Sequence, residues 1–83
     1  MRRDMNITEG EKLVRLGLNI AYYRRLKSLT QEELAVKSKI SRAQLSHIEA
    51  PNEYVNPTVL TLIRISDALG VPLHILVELR KDA

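Results

Sequence analysis

Two helix-start signals stand only eleven residues apart in this chain. Thr30 is followed three residues later by Glu33, and Ser41 by Gln44. At that spacing the hydroxyl accepts a hydrogen bond from a first-turn backbone N–H, and the acid or amide reaches back to the hydroxyl residue's own N–H. A second start so soon after the first rules out one long helix. The stretch TQEELAVKSKISRAQLSHIEA, residues 30–50, is therefore predicted to form two short helices joined by a tight corner. The first runs near 31–37 with Leu34 and Ala35 inward. The second runs near 42–50 with Leu45, Ile48 and part of Glu49 inward.

The flanking sequence supplies more helices and no strand. In TEGEKLVRLGLNIAYYRRLKS, Leu13, Leu16, Ile20 and Tyr23 share one helical face. Thr8 with Glu11 is a further capping-box pattern, which places the start of this first helix near residue 9. Gly17 inside it lowers helix propensity by about 1 kcal/mol and signals either close packing or a weak point. The segment APNEYVNP (50–57) reads as a loop between two prolines. Thr58 caps a fourth helix carrying Val59, Leu62, Ile63, Ile65 and Leu69, and Gly70 ends it. A fifth is predicted over 73–80. The expected fold is all-α, a compact bundle of five short helices. Residues 1–8 form a partly ordered N-terminal arm and 9–81 a single domain.

Composition narrows the chemistry. The chain has 83 residues, 45% apolar and 28% charged, which is globular composition in one domain. With no Trp and no Phe, the core rests on Leu, Ile, Val, Ala and Tyr. The absence of Cys excludes disulfides, thiolate chemistry and the usual zinc sites. His47 and His74 have no second ligand at metal spacing, so no metal and no cofactor is expected. No nucleophile–base–orienter set, carboxylate pair near a His or glycine-rich phosphate loop is present, which argues against an enzyme. No apolar run reaches the roughly 20 residues of a membrane span, and a cytoplasmic setting is expected. Net charge is +3, but it is unevenly placed. Residues 1–50 hold ten Lys/Arg against six Asp/Glu, and residues 51–83 hold three against four. The basic half contains the two-helix corner, which suits a polyanionic partner.

The corner gives the second of its helices an outward role. A helix crossing steeply over another stands out as a rod about 10–12 Å wide, matching a DNA major groove of about 12 Å. With Leu45 at the centre of the buried side, the helical period places Ile48 and Glu49 beside it. Ala43, His47 and Ala50 fall on the opposite side with Ser46 at its edge, and Arg42 stands at the helix start. That face offers donors, an acceptor and small apolar groups, with no carboxylate of its own, as a phosphate-lined groove requires. Backbone amides at the first turns of both short helices suit phosphate oxygens.

The motifs LGLNIAYYR, LTQEELA, IS, LSHIE and PTVLTLIRISDALGV, in this order, resemble the Cro and phage-repressor type helix-turn-helix domain, the XRE family. The resemblance spans about residues 16–79. It implies a lambda-repressor-like DNA-binding domain of five helices, with a helix-turn-helix over about 30–50 and a recognition helix over about 41–50. It implies base contacts from Arg42, Ala43 and His47, with Ser46 at the edge of the set. It implies phosphate contacts from Gln31 and Ser41, joined by Thr30 and Lys39, and a semi-buried ion pair between Arg24 and Glu49. Glycine is common in the family where this chain has Ser28 and Lys39. The segment EAPNEYVNP is longer than usual, with Ala-Pro where a basic residue and glycine are common.

Several residues carry more than one reading. His47 suits a base contact, a phosphate contact or a solvated position. Tyr22 and Tyr23 suit base stacking or, more in keeping with their aliphatic neighbours, partial core packing. Arg2 and Arg3 suit a minor-groove arm or a frayed terminus. Leu73, Leu76 and Leu79, with Tyr54 and Val55, form either a dimer patch or a floor that closes the small core. The resulting expectation is a sequence-specific, repressor-like transcriptional regulator binding a two-fold operator in double-stranded DNA as a homodimer. The alternative is an antitoxin that binds a toxin protein as well as operator DNA.

Overall fold

The computed structural model describes residues 3–79, with side chains described from residue 9 onward. Five helices form among them: α1 (Arg3–Leu26), α2 (Gln31–Ser38), α3 (Arg42–Glu49), α4 (Val59–Leu69) and α5 (Leu73–Leu76). The helices pack mainly as α1 on α3, α2 on α3, α2 on α4 and α4 on α5, with α1 also touching α4 and α5. Ile20, Leu34, Leu45, Ile65 and Leu76 meet at the centre, each fully buried. The core is aliphatic; Tyr23 packs at its margin.

Capping fixes where the short helices begin. Thr30 Oγ1 accepts from Glu33 N at 3.0 Å and Glu33 Oε1 accepts from Thr30 N at 2.9 Å, a complete capping box. Ser41 Oγ accepts from Gln44 N at 2.9 Å, so the first half of the expected box forms at α3. Thr58 Oγ1 accepts from Thr61 N at 3.1 Å at the start of α4.

Three helix ends share one geometry. Ser28, Lys39 and Gly70 are left-handed, with φ of 60°, 61° and 68°. At each, the following residue's N–H returns to a carbonyl five residues back: Leu29 to Arg24, Ile40 to Ala35 and Val71 to Ser66. This is the Schellman closure, for which glycine is the usual residue. Only one of the three positions has it.

The structure revises four expected boundaries. First, α1 begins at Arg3, so Thr8 lies inside it and the expected arm over 1–8 is helical from residue 3. No Pro or Gly stands between Arg3 and Thr8 to stop the helix, and a capping preference of about 1 kcal/mol does not interrupt a turn that can continue. The proposed arm function of Arg2 and Arg3 lies outside the described residues and side chains. Second, α2 runs one residue further than expected, to Ser38. The Ser38 hydroxyl donates to the Leu34 carbonyl at 2.6 Å, which keeps this polar side chain satisfied inside the core. Third, α3 ends at Glu49 because Ala50 precedes Pro51 and is pushed to extended backbone, with φ −70° and ψ 127°. Fourth, α5 is a single turn. Asn19 of α1 donates through Nδ2 to the carbonyls of Leu76 at 3.0 Å and Glu78 at 2.7 Å, taking acceptors that a longer helix would use.

Candidate nucleic-acid interface

The outward face of α3 follows from what its inward face must bury. Leu45, Ile48 and Glu49 are buried, and Arg42, Ala43, Ser46 and His47 are exposed. Ala50, just past the helix, is half-buried. Gln44 is exposed as well; by the helical period Ala43 and His47 lie on the side away from Leu45, with Ser46 at its edge and Arg42 at the helix start.

Two devices hold α3 against α1. The first is steric: Gly17 is buried where α1 crosses α3, and a Cβ there would run into the carbonyl oxygen of Ile48. Of the two readings of Gly17, close packing is the one the structure adopts. The second is ionic. Arg24 Nε donates to Glu49 Oε2 at 2.9 Å and Arg24 Nη2 to Glu49 Oε1 at 3.0 Å, a bidentate pair. Its side chains are 12% and 4% exposed. Arg24 Nη1 also donates to the Leu29 carbonyl at 2.8 Å, so one guanidinium ties the end of α1 to both the following turn and α3.

Gln31 joins this network. Its Nε2 donates to Glu49 Oε1 at 2.9 Å, so the residue expected at a phosphate is also the link from α2 to the ion pair. Thr30 and Ser41 use their hydroxyl oxygens as caps; each hydroxyl retains its O–H as a donor. Lys39 stands exposed in the corner, beside Lys37 and Arg64 around a shallow groove that also includes Asp67.

The loop after α3 adds something the period of α3 does not contain. Glu53 lies 2.7 Å from His47 Nδ1, so a carboxylate leans onto the face that carries none of its own. Tyr54 lays its ring over Gly10 of α1 while remaining largely exposed.

The candidate dimer residues separate. Leu76 is fully buried in the core, which removes it from any surface patch: the one-turn α5 points it inward, into the same cluster as Ile20 and Leu69. Val55 is half-buried against the core, Leu73 and Leu79 are half-buried, and Tyr54 is exposed. Tyr22 and Tyr23 pack edge to face with centroids 5.0 Å apart, and Tyr23 leans on the core.

A family model described as helix-turn-helix matches residues 20–76. The chain belongs to the helix-turn-helix family. This is the XRE type, and with it the DNA-binding character of such transcriptional regulators. The chain is 46% identical over 56 residues to the HTH-type transcriptional regulator y4dJ of Sinorhizobium fredii, across 68% of this chain and 70% of that one. It is 35% identical over 63 residues to the HTH-type transcriptional regulator SinR of Bacillus subtilis, across 76% of this chain. That match spans only 56% of SinR. Among solved structures, the restriction-modification controller protein C.AhdI of Aeromonas hydrophila superposes with a TM-score of 0.72 at 26% identity, covering 77% of this chain and 94% of that one. No helix of the described residues is long and apolar enough to cross a membrane.

Proposed function

We propose that this helix-turn-helix protein is a repressor-like regulator that reads double-stranded DNA sequence-specifically, as a homodimer on a two-fold operator. The observation that carries this reading is the exposed face of α3, where Arg42, Ala43, Ser46 and His47 stand together while Leu45, Ile48 and Glu49 are buried. In this reading α3 lies in the major groove. Arg42 pairs with the O6 and N7 acceptors of a guanine, its best-matched edge, and Ala43 meets a thymine methyl or admits close approach of the backbone. Ser46 and His47 contact the neighbouring base edge.

Phosphates are held around that helix. Thr30 and Ser41 donate through their hydroxyls, Gln31 through the N–H not given to Glu49, and Lys39 through its ammonium. Lys37 and Arg64 beside Lys39 raise the local positive potential. For the dimer, Ile63 and Leu73 border one groove, and Leu60 of α4 is exposed. This reading assigns these residues and Leu79 to the contact with a second copy. The named relatives are transcriptional regulators and a controller protein, which favours regulation over an antitoxin role.

The test is selection from a random pool of duplex DNA with the purified protein at about 150 mM salt, where non-specific attraction is weakened. An enriched inverted repeat with half-site centres about 34–36 Å apart is the expected result. A lone half-site would keep DNA reading and remove the dimer. No enrichment would overturn the proposal.

A further inference from the structure

The contact between His47 and Glu53 is exposed, with side chains 61% and 42% accessible. Exposed pairs of this kind contribute little to stability, so stability does not account for the placement. What the contact changes is the chemistry of the ring. A carboxylate only accepts, so an imidazole nitrogen 2.7 Å from it must be the one that carries hydrogen. The two ring nitrogens lie on opposite sides, so Nε2 is turned away from Glu53. In the neutral ring Nε2 is then the acceptor.

We propose that Glu53 is a specificity-determining positioning residue: it holds His47 as the Nδ1–H tautomer, so that the Nε2 lone pair faces the DNA. This rests on the DNA-reading function proposed above. In the major groove such a lone pair matches a hydrogen-bond donor, the exocyclic amino group of adenine or cytosine, and rejects the O6 and N7 acceptors of guanine. The same carboxylate adds a negative charge beside the phosphate-facing surface. It therefore weakens attachment to DNA of any sequence while sharpening the choice among sequences. A residue with a purely structural role would not move these two properties in opposite directions.

The experiment has two arms. In the free protein at about pH 8, above the ordinary histidine range, long-range ¹H–¹⁵N NMR of the imidazole reads the tautomer. Hydrogen on Nδ1 of His47 in the wild type, and a return toward the Nε2–H form in Glu53→Ala, is expected. Hydrogen on Nε2 in the wild type overturns the inference. In the second arm, random-duplex selection is run with the wild type, His47→Ala and Glu53→Ala. Both variants are expected to lose preference at the same base pair, by about threefold to tenfold, the worth of one hydrogen bond. Glu53→Ala should at the same time bind random duplex about twofold or more tightly. If the wild type enriches an operator and Glu53→Ala enriches the same one with undiminished preference, this inference fails and the DNA-reading function stands. If the wild type enriches nothing, both fall.

Discussion

Gly17 and Ile48 are packed backbone to backbone: a methyl group on the Gly17 α-carbon would occupy the position of the Ile48 carbonyl oxygen. The obstacle is main chain, so no side-chain rotation relieves it. Gly17→Ala must move α1 away from α3 or displace the end of α3. An overpacked core position typically loses about 1–3 kcal/mol, and a backbone clash belongs at the upper end. The expected result is a fall in Tm of roughly 12 °C or more in a domain of this size. Helix propensity alone would predict the opposite sign, since Ala is the better helix former by about 1 kcal/mol. Thermal melting decides between them, and the sign is the informative part.

The Arg24–Glu49 pair makes a second prediction with an internal control. Glu49→Gln leaves the Arg24 guanidinium, only 12% exposed, without its counter-charge. Breaking a buried pair from one side costs about 3–5 kcal/mol. Replacing both partners with apolar residues, as in Arg24→Met with Glu49→Leu, should lose less than the single change, because no charge is left stranded. Gln31 then loses its acceptor as well and contributes to what remains. Urea unfolding of the wild type and the two variants gives the order. A single variant as stable as the wild type would show that the pair is not under the strain of burial.

Much of this architecture is local chemistry and could be read directly. Thr30, Ser41 and Thr58 declare their helices because a hydroxyl at the cap position answers an amide within three residues. The exposed and buried sides of α3 follow from its period alone. Other features depend on what the chain meets far along its length. Asn19 falls on the apolar face of α1, and nothing near it in sequence reveals that its partners are carbonyls 57 and 59 residues away. Glu53 reaches His47 by the course of a proline-bracketed loop, which no periodicity encodes. Leu76 fits a dimer patch or the floor of the core equally well in the sequence, because a one-turn helix has too few residues to show which side is buried.

The three Schellman ends predict a paired outcome. A non-glycine residue in left-handed backbone costs about 1–2 kcal/mol, part of which glycine returns through its freer unfolded state. Ser28→Gly and Lys39→Gly should each stabilise the fold by about 0.5–1 kcal/mol, or roughly 2–8 °C in Tm. The two differ in DNA binding. If Lys39 neutralises one phosphate, Lys39→Gly lowers the slope of log affinity against log salt by about 0.9, while Ser28→Gly leaves it unchanged. Calorimetry and titrations at several salt concentrations measure both. A Lys39→Gly variant with the full slope would take Lys39 out of the phosphate contacts.

Asn19 is the last position where one side chain governs a segment. It is 3% exposed, and its two N–H donors close the end of α5 onto α1. Both partners are carbonyls, so the amide orientation is fixed by the chemistry. Asn19→Ala leaves two buried or partly buried acceptors unmet and should cost about 1–3 kcal/mol. Asn19→Asp should be worse, since it turns a carboxylate oxygen toward two carbonyl oxygens where donors are needed. The loss should be local before it is global. Amide hydrogen exchange in residues 76–79 is expected to quicken in Asn19→Ala, while the amides of α2 and α3 stay as protected as global stability allows. Uniform loss of protection would mean that α5 and the rest of the core open as one unit. Selective loss would identify the Asn19 clasp as what keeps Leu76 seated in the core.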